Sequence, residues 1–136
     1  MSAADLEVVR RIYRAWGGGA PDEALELLDP DIEWVNAPDA VEPGTRRGID
    51  DFSVALAMVS ETFDSPRLEI EELIDAGDQV VVIGVLRGHG QSSGIAVERR
   101  QGYVWTIREG KAVRFAWFND PEAALAAAGV EPGVSR

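Results

Sequence analysis

The 136-residue chain has no cysteine and a single histidine, His89. The first absence excludes disulfides, thiol nucleophiles and cysteine-based zinc sites in one step. The second excludes a histidine-rich metal centre, so neither a metal nor a cofactor is expected. Positive charge is also scarce. Thirteen Lys and Arg stand against 24 Asp and Glu, a net charge of −11, which argues against nucleic acid or an anionic membrane as partner. No apolar run reaches the ~18 residues that a membrane-spanning helix needs. The opening stretch, MSAADLEVVRR, is amphipathic and unlike a secretory signal, so a cytoplasmic location is expected. What the chain does have is 46% hydrophobic residues, 27% charged residues and four tryptophans. That composition fits one globular domain over residues 1–136, its last residues from about 130 a frayed tail.

The organising stretch runs from Gln79 to Asn119. Three β-branched and aromatic runs are separated by two glycine-rich breaks, Gly88 to Gly94 and Glu109-Gly110. This pattern predicts three consecutive antiparallel strands. A three-residue loop, Arg108-Glu109-Gly110, would place Tyr103 opposite Phe115, Gln101 opposite Trp117 and Arg99 opposite Asn119. Trp105 and Ile107 then share that face, and Arg100, Val104, Thr106, Arg114, Ala116 and Phe118 occupy the other. A two-residue loop would instead move Trp117 to the face opposite Tyr103. Such an aromatic face with a polar end suits either a core or a small-molecule pocket.

Elsewhere, Leu6, Val9, Tyr13 and Trp16 form one stripe of a helix from Asp5 to Trp16, ended by Gly17-Gly18-Gly19. Pro21 suits the first turn of a short helix, stopped by Asp29-Pro30. Ile32 to Asn36 reads as a strand, and Ala37 to Gly48 as a loop. Ile49, Phe52, Leu56, Val59 and Phe63 form a second helical stripe, closed by Asp64-Ser65-Pro66. Leu68 to Asp75 reads as a strand that turns at Ala76-Gly77-Asp78. Val80 to Leu86 is apolar on both faces, so both faces should be covered. Helices can cover only one side of a sheet this small, so the other is expected to be a homodimer interface. A last helix runs from Asp120 to Ala128, with Asp120 as N-cap and Pro121 as first residue. Helices collected before a meander make an α+β domain.

Gly90-Gln91-Ser92-Ser93-Gly94 matches the G-x-S-x-G hydrolase pattern, but that elbow needs a helix after it, and a strand follows here. The segment is therefore read as a hairpin loop. His89 is read as an exposed strand-end residue or as a proton donor or acceptor at the cavity mouth. Arg87 and Arg99 are read as surface partners of acids such as Glu98.

Several strings resemble the SnoaL-like, ketosteroid isomerase-like branch of the nuclear transport factor 2-like superfamily. They are Ala24-Leu25-Glu26-Leu27-Leu28 with Asp31-Ile32-Glu33-Trp34, Gly48-Ile49-Asp50-Asp51-Phe52, Ala76-Gly77-Asp78-Gln79-Val80-Val81-Val82, Val104 to Lys111, and Phe118-Asn119-Asp120. The resemblance implies a cone: a curved sheet wrapped around a long helix, with an apolar cavity and pairing through the outer sheet face. It also implies where catalytic groups would stand. Tyr13 matches the family tyrosine, and Tyr103 falls where an isomerase has a protonated aspartate. The isomerase base falls at Asn36 or Ala37, so that base is missing. The Asp-Arg-Asp set of epoxide hydrolase-like members falls on Leu86, Gly84 and Trp117, so it is unmatched too. The acid of SnoaL-type cyclases falls near Asp120, read here as the helix cap.

The candidate catalytic groups are Tyr13, Tyr103 and His89. The candidate lining comes from the first helix (Trp16), the first strand (Trp34, Asn36), the second stripe (Phe52, Leu56, Val59, Phe63) and the sheet. The sheet supplies Ile83, Val85, Arg99, Gln101, Tyr103, Trp105, Phe115, Trp117 and Asn119. The expected ligand is a small hydrophobic compound bearing oxygen, polyketide- or steroid-like, with isomerase or cyclase chemistry if the protein is an enzyme. The alternative is a non-catalytic dimeric interaction module whose cavity is filled by side chains.

Overall fold

A computed structural model of the chain describes residues 2–40, 44–90 and 93–130, with side chains described except at 2, 21 and 59–66. The elements are α1 (Ser2–Gly17), α2 (Pro21–Leu25), β1 (Leu28–Asn36), β2 (Gly44–Arg47), α3 (Ile49–Thr62), β3 (Phe63–Ala76), β4 (Gln79–Gly90), β5 (Ala96–Arg108), β6 (Lys111–Phe118) and α4 (Pro121–Ala127). The strands form one sheet in the order β2-β1-β6-β5-β4-β3. Neighbours are antiparallel except for β1 and β6, which run parallel. This is the expected α+β cone.

Alternation along the strands sorts the apolar residues between two faces. Val80 and Val82 of β4, Trp105 and Ile107 of β5, Phe115 of β6 and Ile32 and Trp34 of β1 face inward. They pack against Val9 and Ile12 of α1 and Phe52 and Ala55 of α3. Val81, Ile83, Val104 and Ala116 face outward. The reading that helices would cover one face alone is corrected here, because α4 lays Ala124 and Leu125 on the outer face. Asp120 caps α4 by accepting the backbone N–H of Glu122 at 2.9 Å, and Pro121 opens the helix. Gly102 makes the close approach possible. A Cβ there would lie 2.5 Å from Ala124 Cβ and 3.1 Å from Pro121 Cα.

Several element boundaries differ from expectation: α1 starts at Ser2 rather than Asp5, and α2 ends at Leu25, before the predicted stop at Asp29-Pro30. β1 starts at Leu28 rather than Ile32. Its pairing with β6 is irregular between Leu28 and Glu33, the interval holding Pro30, which has no N–H to give a ladder. The predicted loop contains β2, a short edge strand with two arginines that pairs with Glu33–Asn36. Phe63 begins β3 rather than ending α3, and β3 runs through the predicted stop at Asp64-Ser65-Pro66. There β4 is long enough to pair with Phe63 and Asp64, the ladder being interrupted between Asp64 and Arg67. Residues 41–43 of the loop, Gln91 and Ser92 of the G-x-S-x-G pattern, and the tail 131–136 lie outside the described residues. A strand, β5, follows the pattern where a hydrolase elbow would need a helix.

The β5–β6 turn is also tighter than expected. Arg108 pairs with Lys111, leaving a two-residue loop in which Glu109 (φ 51°) and Gly110 (φ 77°) are both left-handed. Those angles make a primed turn, which suits the strand twist. The predicted loss of the shared face does not follow. A bulge puts Val113 in as an extra residue, so that Ile107 pairs with Ala112 and Thr106 with Arg114. Tyr103 then pairs directly with Trp117, and Trp105 with Phe115. The partners are shifted by two from the predicted register, and the face is unchanged.

Candidate functional site

The inner face of the cone is built from rings. Trp105 is fully buried between Tyr13 (centroids 5.8 Å apart), Trp16 (5.9 Å) and Phe115 (4.6 Å). Phe52 meets Trp16 at 6.4 Å and Trp34 at 5.1 Å, and Tyr103 stacks on Phe115 at 5.7 Å. Leu56 packs against the same cluster. α1, α3 and the sheet thus bring together Tyr13, Trp16, Trp34, Phe52, Leu56, Tyr103, Trp105, Phe115 and Trp117 as the sequence reading grouped them.

The polar end of this face lies where β1 and β6 finish, beside the first half of β5. Asn36 Oδ1 accepts two indole N–H groups, Trp34 Nε1 at 2.8 Å and Trp117 Nε1 at 2.9 Å. Its Nδ2 has no partner among the described residues. That nitrogen is not fully enclosed, because no buried side-chain N or O in the described structure lacks a partner. A second series of hydrogen bonds leads outward. Tyr103 donates its O–H to Gln101 Oε1 (2.7 Å), Gln101 Nε2 donates to Asn119 Oδ1 (3.3 Å), and Asn119 Nδ2 donates to Asp39 Oδ1 (3.3 Å). Deeper in, Trp105 Nε1 donates to the Tyr13 hydroxyl at 3.0 Å.

Other candidates stand elsewhere. Ile83 and Val85 were expected in the lining, but both carry the outward parity of β4, and Ile83 packs in the cluster under α4. The run is apolar on both faces, so its pattern alone does not say which set points in. His89 is also on the outer face, exposed, beside Arg67 and Arg87 in a shallow groove at the strand ends. That places it across the sheet from Tyr103. Arg87 is held there by Glu69 and Glu98, the surface pairing expected. Arg99 shares the face of Tyr103 but is exposed. The side chains of Val59 and Phe63 lie outside the described residues. Asp39, which the sequence reading missed, joins the polar end through a partner 80 residues away.

Burial raises the ionisation of both phenols well above their ordinary 10.0, Tyr13 further because the Tyr103 phenol is close enough to add repulsion. Neutral phenols are therefore favoured by folding. This stabilisation is fully present below pH 10 and is lost as the pH rises through the folded values. Tyr13 and Tyr103 are the two tyrosines of the chain, so tyrosinate absorbance reports them without interference. Alkaline titration of the native protein is expected to show no ionisation near pH 10, and then ionisation together with unfolding. Titration of either phenol near pH 10 in folded protein would show that the site is wet.

Comparison with known proteins agrees with this fold. The model of the SnoaL-like domain family matches residues 9–115. An uncharacterised protein of Mycobacterium tuberculosis H37Rv is 26% identical over 121 residues, 88% of this chain and 92% of that protein. The crystal structure of TerC with polyporic acid is 26% identical and superposes with a TM-score of 0.75, covering 93% of this chain and 99% of TerC. A putative SnoaL-like polyketide cyclase from Jannaschia sp. CCS1, 22% identical, shares the fold with a TM-score of 0.78, covering 97% of this chain and 96% of its own. A family match over most of the chain, joined to a cone of the same shape, places this protein in the SnoaL-like domain family.

Proposed function

We propose that the protein binds a small hydrophobic, oxygen-bearing compound, polyketide- or steroid-like, at the polar end of the cone. The observation that carries this reading is Asn36: two indoles occupy its oxygen, and its amide nitrogen is not enclosed and has no partner among the described residues. An unpaired amide beside an aromatic wall is what a ligand oxygen would complete. TerC, a relative crystallised with polyporic acid, supports the small-molecule reading. Among the described residues the interior polar groups named above include no carboxylate, Asp39 being exposed, so proton abstraction next to a carbonyl has no agent among them. Binding is therefore favoured over isomerase or cyclase chemistry. The ring-on-ring packing around Trp105 favours a second reading, a side-chain-filled interaction module. Homodimerisation through the part of the outer sheet face that α4 leaves uncovered belongs to either reading, and the chain mass in sedimentation decides it.

Calorimetric titration with flat aromatic ketones and phenols separates the two readings. The expected result is binding tighter than millimolar, weakened by Asn36→Leu, with background conversion of a 5-ene-3-ketosteroid. Absence of binding across the panel would favour the filled module.

A further inference from the structure

We infer that the site has a fixed hydrogen-bond polarity, in which Tyr13 and Asn36 donate to the ligand and Tyr103 accepts from it, and that Asp39 sets the polarity of Tyr103 from outside. The inference rests on the reading of the cone as a ligand site. It starts from groups that cannot reverse. A carboxylate only accepts hydrogen bonds and an indole only donates them. Asp39 therefore requires Asn119 to present Nδ2, which turns Asn119 Oδ1 toward Gln101. Gln101 must then present Nε2 to Asn119 and Oε1 to Tyr103. Two oxygens 2.7 Å apart need a hydrogen between them, and an amide oxygen carries none, so the Tyr103 hydrogen is committed to Gln101. Its oxygen lone pairs are what remain for a ligand.

At Tyr13 the same logic gives the opposite result. Trp105 Nε1 can only donate, so it occupies the Tyr13 oxygen, and the hydroxyl hydrogen has no acceptor among the described residues. At Asn36 two indoles hold the oxygen and leave Nδ2–H outward. The site therefore offers two donors and one acceptor. The ligand class that satisfies all three is an aromatic hydroxy-carbonyl compound. Its carbonyl oxygen would face Tyr13 or Asn36, and its own hydroxyl would donate to Tyr103. Two phenols that both donated would select a dicarbonyl compound instead. Asp39 is exposed and acts here through Asn119 and Gln101 as a positioning residue.

The test uses two naphthalene probes, 2-acetylnaphthalene, which only accepts, and 2-naphthol, which donates, measured by calorimetry. Tyr103→Phe is expected to weaken 2-naphthol by about three- to tenfold and 2-acetylnaphthalene by less than about twofold, with Tyr13→Phe doing the reverse. Asp39→Asn keeps shape but frees the amides to turn over, so the 2-naphthol preference should shrink without loss of 2-acetylnaphthalene. This exposed variant keeps the test open if a tyrosine variant fails to fold. Equal weakening of both probes by Tyr103→Phe, or no change in preference with Asp39→Asn, would overturn the polarity and leave the pocket reading standing. If neither probe binds the wild type below millimolar, the pocket reading falls and the polarity with it.

Discussion

Replacing Trp105 by alanine is expected to destabilise the protein by about 3–5 kcal/mol. Trp105 is fully buried and sits where α1 meets the sheet, in ring contact with Tyr13, Trp16 and Phe115. Alanine removes the ring contacts and opens a cavity that the three neighbouring aromatics, two anchored on α1 and one on β6, cannot close together. It also strips the Tyr13 oxygen of its donor. Chemical denaturation should show a lower midpoint with an unchanged slope. Trp105→Phe retains most of the ring and loses the N–H, so its cost should fall near the ~1 kcal/mol of a single hydrogen bond plus a small packing loss. If alanine cost no more than phenylalanine, the ring cluster would not be the centre of the fold.

The second large effect is expected at Gly102. An alanine there is a one-carbon change, yet its Cβ would overlap Ala124 Cβ at 2.5 Å and press on the Pro121 backbone. Backbone on one side and a capped helix on the other leave little freedom to yield. Gly102→Ala should therefore cost about 1–3 kcal/mol by overpacking, with Gly102→Val worse. Ala124→Gly removes the opposing methyl, so the double variant should recover much of the loss as a coupling of about 0.5–3 kcal/mol. Strict additivity in that cycle would show that α4 does not rest on Gly102.

The cone and most of its inner wall were legible because helical stripes and strand alternation survive in the sequence. Tyr13, Trp34, Phe52, Trp105 and Phe115 fall on those periods. Ile83 and Val85 were misread because β4 is apolar on both sides, so parity came from neither face. β2 was hidden by its shortness and its glycine and arginines, which look like loop. Asp39 carried no local signal at all. An aspartate in a proline-containing turn reads as a turn former, and its role depends on Asn119, which the chain brings back only after five further strands. The turn before Lys111 shows a different limit. Its tightness and the bulge behind it are two local choices whose effects cancel on the face of the sheet, and only the pairing reveals either.

That bulge has a consequence for how the sequence can drift. Val113 restores the parity of Phe115 and Trp117 after the two-residue turn. Loss or gain of one residue between Gly110 and Phe115 would therefore exchange the aromatic side of this strand for its charged and alanine side, leaving Arg114 and Ala116 to face the interior. Length changes in this hairpin are tolerable only in steps of two, or where one slip is matched by another. Relatives that differ here by a single residue would need a compensating change across the turn, and that pairing of gaps is a mark by which an inherited cone could be told from a rebuilt one.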